Sequence, residues 1–143
     1  MHVPPIISQT VQYAIQSLVY LAAHRDQQPI LGHEIAGAVG IPANYLSKIM
    51  HTLGKTGLIE AKRGRTGGYR FAREPEGISL MEVYAAFDDP GALDECFLGR
   101  PECSDEDPCA VHEAWAPIAR ELKEFLEQNT IGGLSTSAGS LTR

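Results

Sequence analysis

No stretch of this 143-residue chain stays apolar for long enough to cross a bilayer as a helix, so no membrane partner is expected. The opening residues, MHVPPIISQT, have neither a basic leader followed by an apolar run nor an Arg-rich amphipathic pattern, and the expected location is the cytoplasm. A nucleotide-binding glycine loop and a nucleophile–base arrangement are both missing, so the chain is not expected to be an enzyme. Cysteine is scarce. There are three, an odd number crowded into one segment without any C-x-x-C pair, which excludes a disulfide framework and leaves ligand or redox roles. The length allows one domain with an extension, but not two full domains.

Positive charge is short overall, with a formal net charge of -6. Divided near Pro75, however, residues 1–75 carry eight Lys or Arg against four Asp or Glu, and the remainder carries four against fourteen. A phosphate-binding footprint is judged on the part that docks, because salt screens distant charge. The first half therefore keeps DNA as a partner.

In TVQYAIQSLVYLAAH the apolar positions Val11, Ala14, Ile15, Leu18, Val19 and Ala22 have helical spacing, and Ser8 or Thr10 can cap the start. HEIAGAVG buries Ile35, Ala36 and Val39 and stops at Gly40, a residue suited to a left-handed C-cap. After Ile41 and Pro42, ANYLSKIMHTLGKTG places Leu46, Ile49, Met50 and Leu53 on one face and Asn44, Ser47, Lys48, His51 and Lys55 on the other. Two helices joined by a tight turn suit a helix-turn-helix, whose second helix enters the major groove. A plain helical hairpin with a solvated face is the alternative for these residues alone. LIEAK and YRFA then read as two strands around RGRTGG, whose glycines permit a sharp reversal and bring Arg63 and Arg65 to its tip. Helix, helix, turn, helix and basic hairpin in this order predict a winged helix. The expected DNA contacts are Asn44, Tyr45, Ser47, Lys48 and His51 in the groove, with Arg63 and Arg65 on phosphates or in the minor groove.

Ser79 followed by Glu82 forms a capping box for a short helix closed by Pro90 and Gly91. Asp107 before Pro108 predicts the start of a longer helix, with Cys109 in its first turn and His112 three residues on, so that both can face one ion. Farther along, Trp115, Ile118, Leu122 and Phe125 make an apolar seam that implies a partner helix and hence a homodimer. From Gly132 the small polar tail GGLSTSAGSLTR is expected to be flexible. The domains expected are a DNA-binding winged helix over 1–75, a short helix, cysteine loop and dimerisation helix over 76–131, and a tail over 132–143.

Cys96, Cys103 and Cys109 are separated by six and then five residues. Zinc knuckles favour shorter spacings, although three thiolates and one imidazole suit zinc chemically. Iron–sulfur clusters accept ligands on wider loops. A metal-free thiol or disulfide switch is a third reading, and a dimeric zinc-stabilised interaction protein is the rival from another class.

The chain resembles the Rrf-two family of bacterial winged-helix repressors, which includes iron–sulfur cluster regulators and nitric-oxide-sensing repressors. The resemblance rests on YAIQSLVYLA, on GIPANYLSKIMHTLGKTGLIEAKRGRTGGYRFA, and on C-x6-C-x5-C-x2-H followed by W and NTIGGL. It implies a mainly α fold with a β-hairpin wing, dimerisation through a long C-terminal helix, and a pseudo-palindromic double-stranded DNA operator. It also implies an iron–sulfur cluster on Cys96, Cys103 and Cys109 with His112 as fourth ligand, 2Fe–2S in preference to 4Fe–4S, zinc or no metal being the alternatives. The implied signals are nitric oxide, redox state or iron–sulfur supply. Two positions depart from the family pattern: the first cysteine gap is six residues instead of five, and the first-helix position where some members place a carboxylate ligand falls near Gln12, a poor iron ligand.

Overall fold

In the computed structural model, which describes residues 7–101 and 104–136, Ser8 opens the first helix by accepting a hydrogen bond from the Val11 N–H at 3.2 Å. This helix, α1 (Gln9–Ala23), buries Val11, Ala14, Leu18 and Leu21 completely and lies at the centre of the molecule. Ser17 is equally buried, and its hydroxyl donates to the Tyr13 carbonyl at 2.7 Å, so burial leaves no polar group unpaired there.

α2 (Gly32–Val39) and α3 (Ala43–Lys55) follow as the predicted pair. Gly40 ends α2 at φ +86° with its N–H on the Ala36 carbonyl, a conformation that favours glycine. The apolar face of α3, comprising Leu46, Ile49, Met50 and Leu53, is fully buried, each side chain contributing about 1.5–3 kcal/mol of hydrophobic stabilisation. That burial orients the opposite face of α3 outward.

β1 (Ile59–Lys62) and β2 (Gly68–Phe71) form an antiparallel hairpin with Ile59 opposite Phe71 and Lys62 opposite Gly68. Ile30, just before α2, exchanges two backbone hydrogen bonds with Tyr69, at 3.0 and 2.8 Å, and fastens the hairpin to the helices. The fold is thus mainly helical with a two-stranded wing, as the sequence predicts.

α4 (Leu80–Phe87) carries the complete capping box: Ser79 Oγ accepts from the Glu82 N–H, and Glu82 accepts from the Ser79 N–H, both at 3.1 Å. Arg73 holds the Glu82 carboxyl below its usual range through a side-chain hydrogen bond, so this contribution is present above the ordinary carboxylate range and is lost as pH falls through the lowered value. Ser79→Ala is expected to lower stability by about 1 kcal/mol, read as a smaller urea midpoint at unchanged slope.

Two expectations need correction. The long helix α5 (His112–Gln128) starts at His112, so Cys109 is not in its first turn. Asp107 does not cap it, because Asp107 is taken by Arg100, whose guanidinium donates to the Asp107 carboxylate at 2.5 Å and to its carbonyl at 3.0 Å. The segment read as flexible from Gly132 forms, over its described part, the short helix α6 (Ile131–Thr136), packed on α1. Ile131 is fully buried, its N–H reaches the Ile78 carbonyl at 2.9 Å, and Gly132 lies so close to Glu76 that an added Cβ would stand 2.6 Å from the Glu76 nitrogen. The small hydroxyl residues that suggested flexibility bond locally, Ser135 to the Gly132 carbonyl and Thr136 to that of Gly133. No helix among the described residues is long and apolar enough to cross a membrane.

Candidate functional site

Two regions carry the chemistry predicted from the sequence. The first is the outward face of α3 with the hairpin beside it. Asn44, Ser47, Lys48 and His51 are all exposed there, on a helix whose other face is buried. Tyr45 differs: its hydroxyl is 2.9 Å from Thr10 Oγ1, and its ring meets Tyr13 edge-on with centroids 5.8 Å apart. It braces α3 against α1, and this tertiary pairing has no signature in local spacing.

The hairpin tip exposes Arg63 and Arg65, and neither makes an ion pair among the described residues. Arg70, by contrast, is held by Glu60 at 2.9 Å. The tip depends on its glycines: a Cβ on Gly67 would stand 2.2 Å from the Lys62 carbonyl, and Gly68, at φ +131°, would meet the Ile30 carbonyl at 2.3 Å. Between α3 and the hairpin runs a groove of about 390 Å3 lined by Ser47, His51, Lys55 and Tyr69 among others. Lys55, which lines it, and Lys62, at the end of β1, are absent from the predicted contacts and add exposed positive charge. The excess of Lys and Arg over residues 1–75 was the signal that could have included them.

The second region is the loop between α4 and α5. A short turn over Pro90–Asp94 leads to Cys96, which is 7% exposed. The chain then folds back at Gly99, φ +81°, with the Gly99 N–H on the Cys96 carbonyl at 2.9 Å. The backbone N–H groups of Arg100 and Leu98 hydrogen-bond the Cys96 sulfur, and with the Cys109 side chain and the Arg100 charge they hold its thiol below its ordinary range against the opposing effect of burial. Cys96 Sγ and Cys109 Sγ are 3.5 Å apart.

His112 is 7% exposed, and its Nε2–H donates to Asp105 Oδ1 at 2.7 Å. That hydrogen bond holds the Asp105 carboxyl below its usual range. Asp105 was not singled out from the sequence, because it lies in an acidic run where every residue looks solvated. Cys103 lies outside the described residues, and among those described no three His, Cys, Asp or Glu side chains converge as a metal site. The structure thus brings Cys96 and Cys109 together and turns His112 onto Asp105.

The two sulfurs fit a metal-bound group. Two thiolates on one tetrahedral ion, each at about 2.3 Å, stand roughly 3.8 Å apart, close to the spacing found. A buried donor beside this loop, Trp115 Nε1–H, has no acceptor among the described residues, and a group bearing one would satisfy it. On α5, Ile118 and Phe125 are 56% and 53% exposed, whereas Trp115 and Leu122 are half-buried and Trp115 packs against Phe97.

The sequence model of the Rrf2 family, described as an iron-dependent transcriptional regulator, matches residues 7–137. The chain belongs to the Rrf2 family. It is 35% identical over 131 residues to the Aquifex aeolicus protein named "Putative HTH-type transcriptional regulator", covering 90% of both chains. It is 30% identical over 125 residues to the HTH-type transcriptional regulator IscR of Vibrio parahaemolyticus, covering 87% of this chain and 74% of that one. Among solved structures, CymR, the global cysteine regulator of B. subtilis, superposes with a TM-score of 0.80 at 24% identity, covering 95% of this chain and 100% of that one. This Rrf2 protein is therefore a DNA-binding transcriptional regulator and not an enzyme. Its winged helix is the fold shared with that structure.

Proposed function

We propose that this Rrf2 protein is a homodimeric repressor whose DNA affinity is set by an iron–sulfur cluster held in the α4–α5 loop, with 2Fe–2S as the cluster type. The observation that carries the reading is the 3.5 Å approach of Cys96 and Cys109 in that loop. Cys96 and Cys109 would hold the group, joined by Cys103 and, as fourth ligand, His112. Likeness to IscR-type regulators and the iron-dependent description of the family support the same assignment. When bound, the cluster supplies iron that reacts with nitric oxide or oxidants and exchanges electrons.

The chain's own residues do the rest. Asn44, Ser47, Lys48 and His51 read the major groove, Arg63 and Arg65 bind phosphate or enter the minor groove, and Tyr45 fixes the angle of α3. Ile118 and Phe125, exposed on α5, meet the partner helix, with Trp115 and Leu122 completing the seam. Cys96 and Cys109 both lie in the loop that joins the DNA-reading half to α5, so the cysteines sit where a change in the loop alters the separation of two reading heads on a pseudo-palindromic operator. To serve as a ligand through Nε2, His112 would give up its hydrogen bond to Asp105.

The test is anaerobic purification followed by an absorption spectrum with iron, sulfide and zinc measured on the same sample. Visible thiolate-to-iron bands with matched iron and sulfide are expected. Colourless protein containing zinc, or metal-free protein that resists reconstitution, would overturn the cluster reading.

A further inference from the structure

The two sulfurs at 3.5 Å are closer to each other than a metal site requires and only about 1.5 Å beyond the length of a disulfide bond. Both are free thiols, one buried and one partly exposed. The segments bearing them are clamped together independently of any metal. Arg100 grips Asp107 through both carboxylate and carbonyl, the Gly99 N–H returns to the Cys96 carbonyl, and the His112 N–H closes a turn onto the Cys109 carbonyl at 3.1 Å. Side-chain rotation at two cysteines can therefore close the remaining gap without unfolding a helix, since neither cysteine lies in one.

We infer that Cys96 and Cys109 form an intrachain disulfide in the metal-free protein, a modification that closes the cluster site until it is reduced. The inference deepens the cluster reading, on which its regulatory meaning rests, because the oxidised sulfurs are the proposed ligands. The oxidant is a peroxide. A lone pair of one sulfur attacks a peroxide oxygen, the O–O bond breaks, and the departing hydroxide leaves as water with the thiol proton. The second sulfur then displaces hydroxide from the sulfenic acid, forming S–S and releasing a second water with the second thiol proton. Two thiols and one hydrogen peroxide thus give one disulfide and two waters. The bridge joins the end of the Pro90–Asp94 turn to the entry of α5, the same two points that the cluster would link.

The test treats metal-free full-length protein with hydrogen peroxide, counts thiols, and maps bridges after cleavage at glutamate. Trypsin cannot separate the cysteines, because the basic residue among them, Arg100, precedes Pro101; cleavage after Glu95, Glu102, Glu106 and Glu113 puts each on its own peptide. Thiol titre should fall from three to one per chain in the wild type and from two to none in Cys103→Ser, with Cys96 linked to Cys109 in both. A bridge through Cys103 instead, or an unchanged titre, overturns the inference. Iron and sulfide uptake is then compared before and after dithiothreitol. The oxidised chain should take up less than about a tenth of the cluster that the reduced chain does, and equal uptake would defeat the closing of the site. A reduced chain that takes up none overturns the cluster reading separately, and the mapped bridge still decides the disulfide.

Discussion

Cys109→Ser is expected to abolish stable cluster loading, leaving less than about a tenth of the wild-type iron per chain while the fold is retained. Cys109 sits outside every helix, is only half-buried, and is absent from the core around α1. Its loss therefore removes a ligand without opening a cavity, and the thermal midpoint of the metal-free variant should stay within a few degrees of wild type. Cys96 is a poorer choice for this test: it is buried and its sulfur accepts from the Leu98 and Arg100 N–H groups, so its replacement also loosens the loop. His112→Ala should load a cluster with an altered spectrum or faster loss, since histidine ligation shifts cluster properties without being the anchor. A wild-type spectrum and lifetime in that variant would place the fourth ligand elsewhere. Wild-type iron in Cys109→Ser would remove the thiol pair from the account altogether.

The second large effect is expected on DNA. Arg63 and Arg65 project from a tip that glycine holds tight, and no carboxylate among the described residues competes for them. Each phosphate contact contributes about 0.9 to the slope of log affinity against log salt, so removing two per reading head, four in a dimer, should flatten that slope by about 3.6. Because this electrostatic contribution fades toward 1 M salt, the same loss predicts affinity about 10^3-fold to 10^4-fold weaker near 0.1 M. Measuring binding of the Arg63→Ala/Arg65→Ala protein over a salt series checks both numbers. Arg70→Ala is the control, since Arg70 is already committed to Glu60, and its slope should change far less. An unchanged slope in the double variant would take the wing out of DNA binding.

Much of the fold was legible because its signals are local. The spacing of Leu46, Ile49, Met50 and Leu53 shows which face of α3 is buried, Gly40 ends α2 as a left-handed cap, and Ser79 with Glu82 completes the capping box. What could not be read depended on how the chain folds back, whether over seven residues or over fifty. Asp107 looked like a helix cap until Arg100 claimed it, which moved the start of α5 to His112 and took Cys109 off the helix. The residues of α6 look like linker in isolation, and only the pairing of Ile131 with Ile78 and the packing of Gly132 on Glu76 make them a docked helix. At the candidate site, the family resemblance implied a shared ligand set that includes Cys96 and Cys109, whose sulfurs lie 3.5 Å apart, whereas the cysteine spacing by itself left several chemistries open. The turning of His112 toward Asp105 depends on how the acidic loop folds back, and spacing does not encode it.

The measurement that bears most directly on the central claim is the affinity of one preparation for an operator fragment selected from genomic DNA, taken with the cluster loaded and again after its removal under reducing conditions. A ligand shifts an equilibrium only through its different affinity for the two states. The account predicts a difference of at least about tenfold, or about 1.4 kcal/mol of coupling, between the two forms. Equal affinities at every salt concentration would contradict it, making the α4–α5 loop a passive part of a constitutive DNA binder.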